Sequence, residues 1–134
     1  MLIPIDAAWV IQNECSKLDY IKRVSCDPAL DFEGDLPFCL IEQTGGVTTS
    51  LVTDMHYLSF DLYADTYANA KAIACKLIGY LRSLVSDKIG NDEIGYCTIY
   101  KVESDIPRDN PDPQLPQIPR VSFDVNLTTR IKEK

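Results

Sequence analysis

His56-Tyr57-Leu58-Ser59-Phe60-Asp61-Leu62-Tyr63-Ala64, followed by Asp65-Thr66 and the run Tyr67 to Val85, is the stretch that decides the fold. Residues alternate across a strand, so Leu58, Phe60, Leu62 and Ala64 share one face and Tyr57, Ser59, Asp61 and Tyr63 the other. Beyond Thr66 the period changes. Ala70, Ile73, Ala74, Leu77, Leu81, Leu84 and Val85 recur at helical spacing. A half-buried strand thus runs directly into a helix that packs on its sheet, and the segment contains no catalytic motif.

The flanking sequence extends this unit in both directions. Upstream, Asp6 is placed to cap a helix whose Ala7, Val10, Ile11, Cys15 and Leu18 form one stripe, with Trp9 off its centre. Cys26-Asp27-Pro28 closes that segment. Asp27, Asp31, Glu33 and Asp35 make an acidic connector up to Leu36-Pro37. Phe38 to Gln43 reads as a strand ended by Thr44-Gly45-Gly46, and Thr48 to Thr53 forms a long hairpin loop or an extension of the ladder.

Downstream, Asp87 to Asp92 reads as a turn, and Glu93 to Glu103 as a strand with Ile94, Tyr96, Thr98, Tyr100 and Val102 on one face. Residues 104–119 carry five prolines (Pro107, Pro111, Pro113, Pro116 and Pro119) and read as an exposed arm, since proline removes the N–H that a ladder needs. In the last strand Val121, Phe123, Val125, Leu127, Thr129 and Ile131 alternate with Arg120, Ser122, Asp124, Asn126, Thr128 and Arg130. The expectation is a single α+β domain over 1–134 in the order α-β-β-α-β-β. Two helices pack on a mainly antiparallel four-stranded sheet.

Composition narrows the function classes. A net charge of -7, from 20 acidic and 13 basic residues, disfavours stable nucleic-acid binding and suits a surface past which a polyanion slides. No apolar run nears the ~20 residues of a membrane span. The five cysteines (Cys15, Cys26, Cys39, Cys75 and Cys97) are far apart, without a Cys-x-x-Cys pair. With no secretory signal in the opening residues, they read as free thiols of an intracellular chain, Cys39, Cys75 and Cys97 being buried. One histidine argues against structural zinc. His56, the sole candidate for a histidine-based proton shuttle, reads as a polar residue at a strand end, and no nucleophile elbow accompanies it. Asp105, Asp109 and Asp112 lack the ligand spacing of an EF-hand and read as solvated acids. No metal or cofactor is expected. Tyr57, Tyr63, Arg108, Arg120 and Arg130 are interface candidates, because these residue types combine contact area with polar tips.

Three groups of residues together resemble the tail terminator (tail completion) proteins of long-tailed bacteriophages. The first is Leu36-Pro37-Phe38-Cys39-Leu40-Ile41-Glu42 leading into Gly45-Gly46. The second is Leu58 to Asp65 with the helix carrying Ala70, Ala74 and Leu77. The third is the proline-rich arm before Arg120-Val121-Ser122-Phe123-Asp124-Val125-Asn126-Leu127-Thr128-Thr129-Arg130. The resemblance covers nearly the whole chain through order and spacing, with no single diagnostic motif.

It implies a structural virion protein at the head-proximal end of the tail, assembled in the host cytoplasm. Copies form a hexameric ring that caps the tail tube, ends polymerisation and offers the head-joining surface. The implied partners are other copies, the tail tube protein and head–tail connector proteins, with DNA passing through the lumen unbound; no catalytic residue is carried over. The implied contact residues are Gly45, Gly46, Val47, Thr48, Thr49 and Ser50 in the hairpin and Tyr57 and Tyr63 on the strand. Pro107, Arg108, Asp109, Asn110, Pro111, Asp112 and Pro113 in the arm and Arg120 and Arg130 on the last strand complete the set. The competing expectations are another neck or tail-tube component and a small enzyme using His56.

Overall fold

Asp6 accepts a hydrogen bond from the Trp9 N–H (3.1 Å) and opens helix α1, Ala7–Cys15. The expected stripe is buried at Ala7, Val10, Ile11 and Cys15, and Ala8 and Glu14 join it; Trp9 faces outward. Thr66 caps helix α2, Tyr67–Ser83, through the Asn69 N–H (3.1 Å) and sinks Ala70, Ala74, Leu77 and Leu81. The computed structural model describes residues 5–27, 35–50 and 52–131. The connector acids Asp31 and Glu33 and the hairpin residue Leu51 lie outside them.

The strands are β1 (Arg23–Ser25), β2 (Phe38–Thr48), β3 (Thr53–Tyr63), β4 (Lys88–Asn91), β5 (Gly95–Ser104), β6 (Arg108–Asp109) and β7 (Arg120–Ile131). They form one seven-stranded sheet in the order β1-β2-β3-β7-β5-β4, with β6 also paired to β7. The observed order, α-β-β-β-α-β-β-β-β, replaces the expected α-β-β-α-β-β. The expected four-stranded, mainly antiparallel sheet is replaced by a larger mixed one, in which β1 lies parallel on β2. The three additional strands have two to four residues each, too short to display a period of two. In the segment read as a turn, Gly90 adopts φ 113°, and a Cβ there would stand 2.0 Å from the Gly95 carbonyl oxygen. Glycine thus lets β4 fold tightly onto β5.

Two further departures come from bulges. β2 continues through Thr44-Gly45-Gly46 instead of ending, with its register against β3 shifting between Gln43 and Gly45. β5 shifts between Ile99 and Lys101, so Cys97 and Ile99 face the core while Tyr96, Thr98 and Tyr100 do not. After the shift Val102 packs against the core, which splits the face expected to carry Ile94 through Val102.

The inner sheet face, covered by both helices, holds Cys39, Ile41, Leu58, Phe60, Leu62, Val121, Phe123, Val125 and Leu127. Phe60 and Phe123 stack at its centre, with ring centroids 4.9 Å apart. A second, smaller cluster forms on the outer face, where Phe38, Leu40 and Tyr63 meet Ile118, with Leu36 and Leu115 beside them. The proline-rich segment is therefore a strap folded against the sheet. Pro113 and Pro116 occupy its turns, and the two non-proline residues of β6 pair with Ser122 and Val121.

Candidate functional surfaces

The implied contact residues separate into two regions at opposite ends of the long strands. At one end the strap is fastened to the outer face. Arg120 Nε donates to Asn110 O (2.6 Å), and its guanidinium also reaches Tyr63 Oη and Pro111 O, both at 3.4 Å. Tyr63 donates to Asp112 Oδ2 (3.1 Å), and Asn110 Nδ2 donates to Ser122 Oγ (3.0 Å), which in turn bonds Asp61. Tyr63, Asn110, Pro111, Asp112 and Arg120 thus form one network within the subunit, next to Pro113.

The arm's acids are individually engaged as well. Asp105 Oδ1 accepts from the Asp124 N–H (2.7 Å) and Oδ2 from Arg108 (3.0 Å), while Asp109 pairs with Lys71 (3.2 Å). Among the described residues no cluster of three or more His, Cys, Asp or Glu side chains gathers to hold a metal. Pro107, Arg108 and Asp109 lie along the strap's entry beside β7, with Arg108 and Asp109 exposed.

At the other end, the distal half of β2 forms an exposed margin of the sheet. From Glu42 to Thr48 every β2 residue except Gly45 is exposed, in contrast to the four buried residues Phe38 to Ile41. Thr49 and Ser50 form the turn, where the Thr49 N–H donates to Thr53 O (3.0 Å) and Ser50 Oγ accepts from the Thr53 N–H (3.1 Å). Tyr57 sits opposite Gly45 on the outer face, and Arg130 lies opposite Thr53, exposed. Gly46 has a steric reason: a Cβ there would come within 2.7 Å of Met55 O.

Along this same stretch of β3 the inner face of the sheet turns polar. His56 is not at a strand end: β3 begins at Thr53, and His56 and Asp54 face inward, 5% and 2% exposed. Gln43 Nε2 lies 3.0 Å from both Gly45 O and His56 Nδ1. A carbonyl only accepts, so the amide nitrogen faces both, Nδ1 is the acceptor and the ring proton sits on Nε2.

Burial lowers the His56 pKa below its usual value, and the negative charges of Asp54 and Asp6 oppose that shift. His56 Nε2, Asp54 Oδ2 and Thr129 Oγ1 are buried without a hydrogen-bond partner among the described residues. A cavity of about 270 Å³ lies alongside, lined in part by Ile5, Gln43, Thr48, Asp54 and His56. With Nδ1 held by Gln43 and Nε2 enclosed, the imidazole is fixed in place and does not present a ring nitrogen to solvent.

The thiols divide by position. Cys15, Cys39 and Cys97 are buried and Cys26 is half-buried, but Cys75 is exposed, contrary to expectation. It lies one residue past Ala74, about 100° around the helix from the buried stripe. Among the described residues all five are free. Among the described residues no helix is long and apolar enough to cross a membrane.

Sequence reasoning missed the Asp54–His56–Thr129 group and the strap network. The alternation from His56 to Ala64, continued two residues upstream, already puts Asp54 and His56 on the face of Leu58. The position of Arg120 opposite Tyr63 followed only once β3 and β7 were known to be neighbours. Compared with known proteins, the chain matches no family model and no curated protein.

Proposed function

We propose that the chain is a structural virion protein of a long-tailed bacteriophage. In this reading it is a tail terminator whose copies, six by the family pattern, close a ring over the end of the tail tube. The ring stops tube growth, provides the surface that joins the head and leaves a lumen through which DNA passes. The resemblance of the sequence stretches around Leu36–Gly46, Leu58–Leu77 and Arg120–Arg130, in their order and spacing, suggests this reading. One structural observation carries it furthest: from Glu42 to Thr48, β2 is an exposed sheet margin that, among the described residues, pairs with β3 on one side alone.

An open strand edge is a ready template for pairing with another chain, so this exposed margin of the β2–β3 hairpin makes physical sense when a neighbour covers it. Val47, 53% exposed near its tip, is apolar area of the kind a neighbour would bury. The net charge of -7 suits a channel that repels the DNA backbone. The strap adds a rigid outer surface fastened through Arg120 and Ile118, in place of a floppy arm.

A tail-tube or neck component would share much of this surface logic and is the nearest competitor. Particles assembled without the chain separate the two. A terminator's loss gives tails that overrun their normal length and fail to join heads. Loss of a tube subunit gives no tails. Headed particles with tails of normal length would refute both.

A further inference from the structure

The sheet is open on both margins at the same height. β1 pairs with β2 only at Phe38 to Leu40, and among the described residues no strand lies beside β2 from Ile41 to Thr48 on the side away from β3. Among the described residues β4 pairs with β5 only from Gly95 to Thr98, and β5 beyond Ile99 has β7 on one side alone. Traced across the sheet, Glu42 to Thr48 faces Asp54 to Ser59 of β3, which faces Asp124 to Thr129 of β7. Lys101 to Ser104 faces Val125 to Thr128 of that same β7 segment. Both unpaired runs therefore border one band of the sheet, on opposite sides. Each begins beside a bulge, at Thr44 and at Tyr100. Exposed apolar side chains mark both runs: Val47 on one, and Tyr100 and Ile106 (61% and 86% exposed) at the two ends of the other.

The backbone groups on these margins match in spacing. The Thr49 N–H bonds Thr53 O, so by the alternation of an antiparallel ladder Gly45 and Val47 bond β3 while Gly46 and Thr48 turn their N–H and C=O outward. The Asp105 N–H bonds Asp124 O (3.1 Å), so Lys101 and Glu103 bond β7 while Val102 and Ser104 turn outward. β2 runs antiparallel to β3, β3 to β7, and β7 to β5, which makes β5 antiparallel to β2. A rotated copy keeps that relation, so its β5 meets β2 in antiparallel sense with the same sheet face outward.

We propose that the ring is joined by edge pairing between β2 of one copy and β5 of the next. Gly46 then stands opposite the neighbour's Ser104 and Thr48 opposite its Val102. The partner is a second copy of this chain in a heterologous contact, which closes when successive rotations complete a circle. This inference rests on the ring reading and adds which margins meet. The pairing offsets each contact by two residues, and strands closing into a barrel need such a stagger. The bulges twist the two margins away from flat, indiscriminate pairing and favour a matched partner.

Val47 and the neighbour's Glu103 become a non-hydrogen-bonded pair on the outer face, the geometry in which side chains come closest and a disulfide is accommodated. The test uses the full chain with Cys75→Ser, carrying Val47→Cys and Glu103→Cys together or singly. Oxidation should convert the double variant into a ladder of covalent multimers ending at the closed ring, and neither single variant should give one. Ser104→Pro removes an outward N–H that β7 does not use. It should leave the subunit's circular dichroism and unfolding midpoint unchanged but raise the concentration needed for assembly about tenfold or more. Rings seen by native mass measurement without a covalent ladder, and unaffected by Ser104→Pro, overturn the strand pairing and leave the ring reading standing. A parent chain that stays monomeric both alone and on isolated tail tubes overturns the ring reading itself.

Discussion

Replacing Phe60 with alanine tests the inner face at its centre. Phe60 and Phe123 are both fully buried, and their rings are nearly parallel, with centroids 4.9 Å apart and planes 10° from each other. Truncation removes the ring's transfer energy, leaves a cavity the rigid sheet cannot fill and strips Phe123 of its stacking partner. Core Phe→Ala changes cost about 3–5 kcal/mol, and the lost aromatic pair places this one toward the upper part of that range. Against a typical domain stability of about 5–15 kcal/mol, the folded-to-unfolded ratio falls by a factor of about a hundred to several thousand.

Urea unfolding followed by circular dichroism should show a lower midpoint with an unchanged slope, since the fold and its exposed surface on unfolding are the same. Ser59→Ala, one residue away on the half-buried outer face, should change stability by less than about 1 kcal/mol. Equal costs for the two variants, or a Phe60→Ala cost under about 1 kcal/mol, would mean that the assigned faces of β3 are wrong.

Three other outcomes follow from the geometry. Arg120→Ala should loosen the strap, costing about 1–3 kcal/mol through the lost contacts to Asn110, Asp112 and Tyr63. Backbone hydrogen exchange should then accelerate across residues 110–119 while β3 stays protected, and unchanged exchange there would contradict the fastening role. For His56, the folded pKa lies below the unfolded value of about 6.5, so the unfolded chain binds the extra proton first. Its contribution is therefore fully present above about pH 6.5 and is lost as pH falls through that value toward the folded pKa. The difference in unfolding free energy between the parent and His56→Gln should narrow across this window, and a pH-independent difference would refute the buried neutral imidazole. In the native chain one thiol, Cys75, should react promptly with a thiol reagent. Cys15, pushed up to about 12 by burial, and Cys97, pushed up to about 11, should react only on unfolding. Prompt reaction of Cys39 would contradict its full burial.

The long elements were legible because their periods repeat several times. β3 and β7 alternate over 11 and 12 residues, and the α2 stripe returns through four buried positions. Periodicity failed where elements are short or shift phase. β1 and β6, with three and two residues, offer no repeat to detect, and they exist because β2 and β7 supply margins to pair with. The bulges at Thr44 and Tyr100 exchange the faces of everything beyond them, a change that single-residue patterns do not announce.

The proline count in residues 104–119 correctly excluded a central strand, but it did not exclude packing. Ile118 and Leu115 supply the apolar contacts, and Arg120 the fastening. His56 was misplaced because Thr48 to Thr53 reads as loop, which hid the true start of β3. Of the implied contact residues, the hairpin set occupies an exposed sheet margin, while Tyr63, Asp112 and Arg120 are engaged within the subunit.

The central claim is that copies of this chain form one ring at one end of a tail. Imaging the purified particle with the chain identified by a small inserted tag, and counting its copies, tests that claim directly. The account predicts six copies in a single ring between the last tube layer and the head connector. Copies stacked along the full length of the tail, or a finished particle containing none, would contradict it.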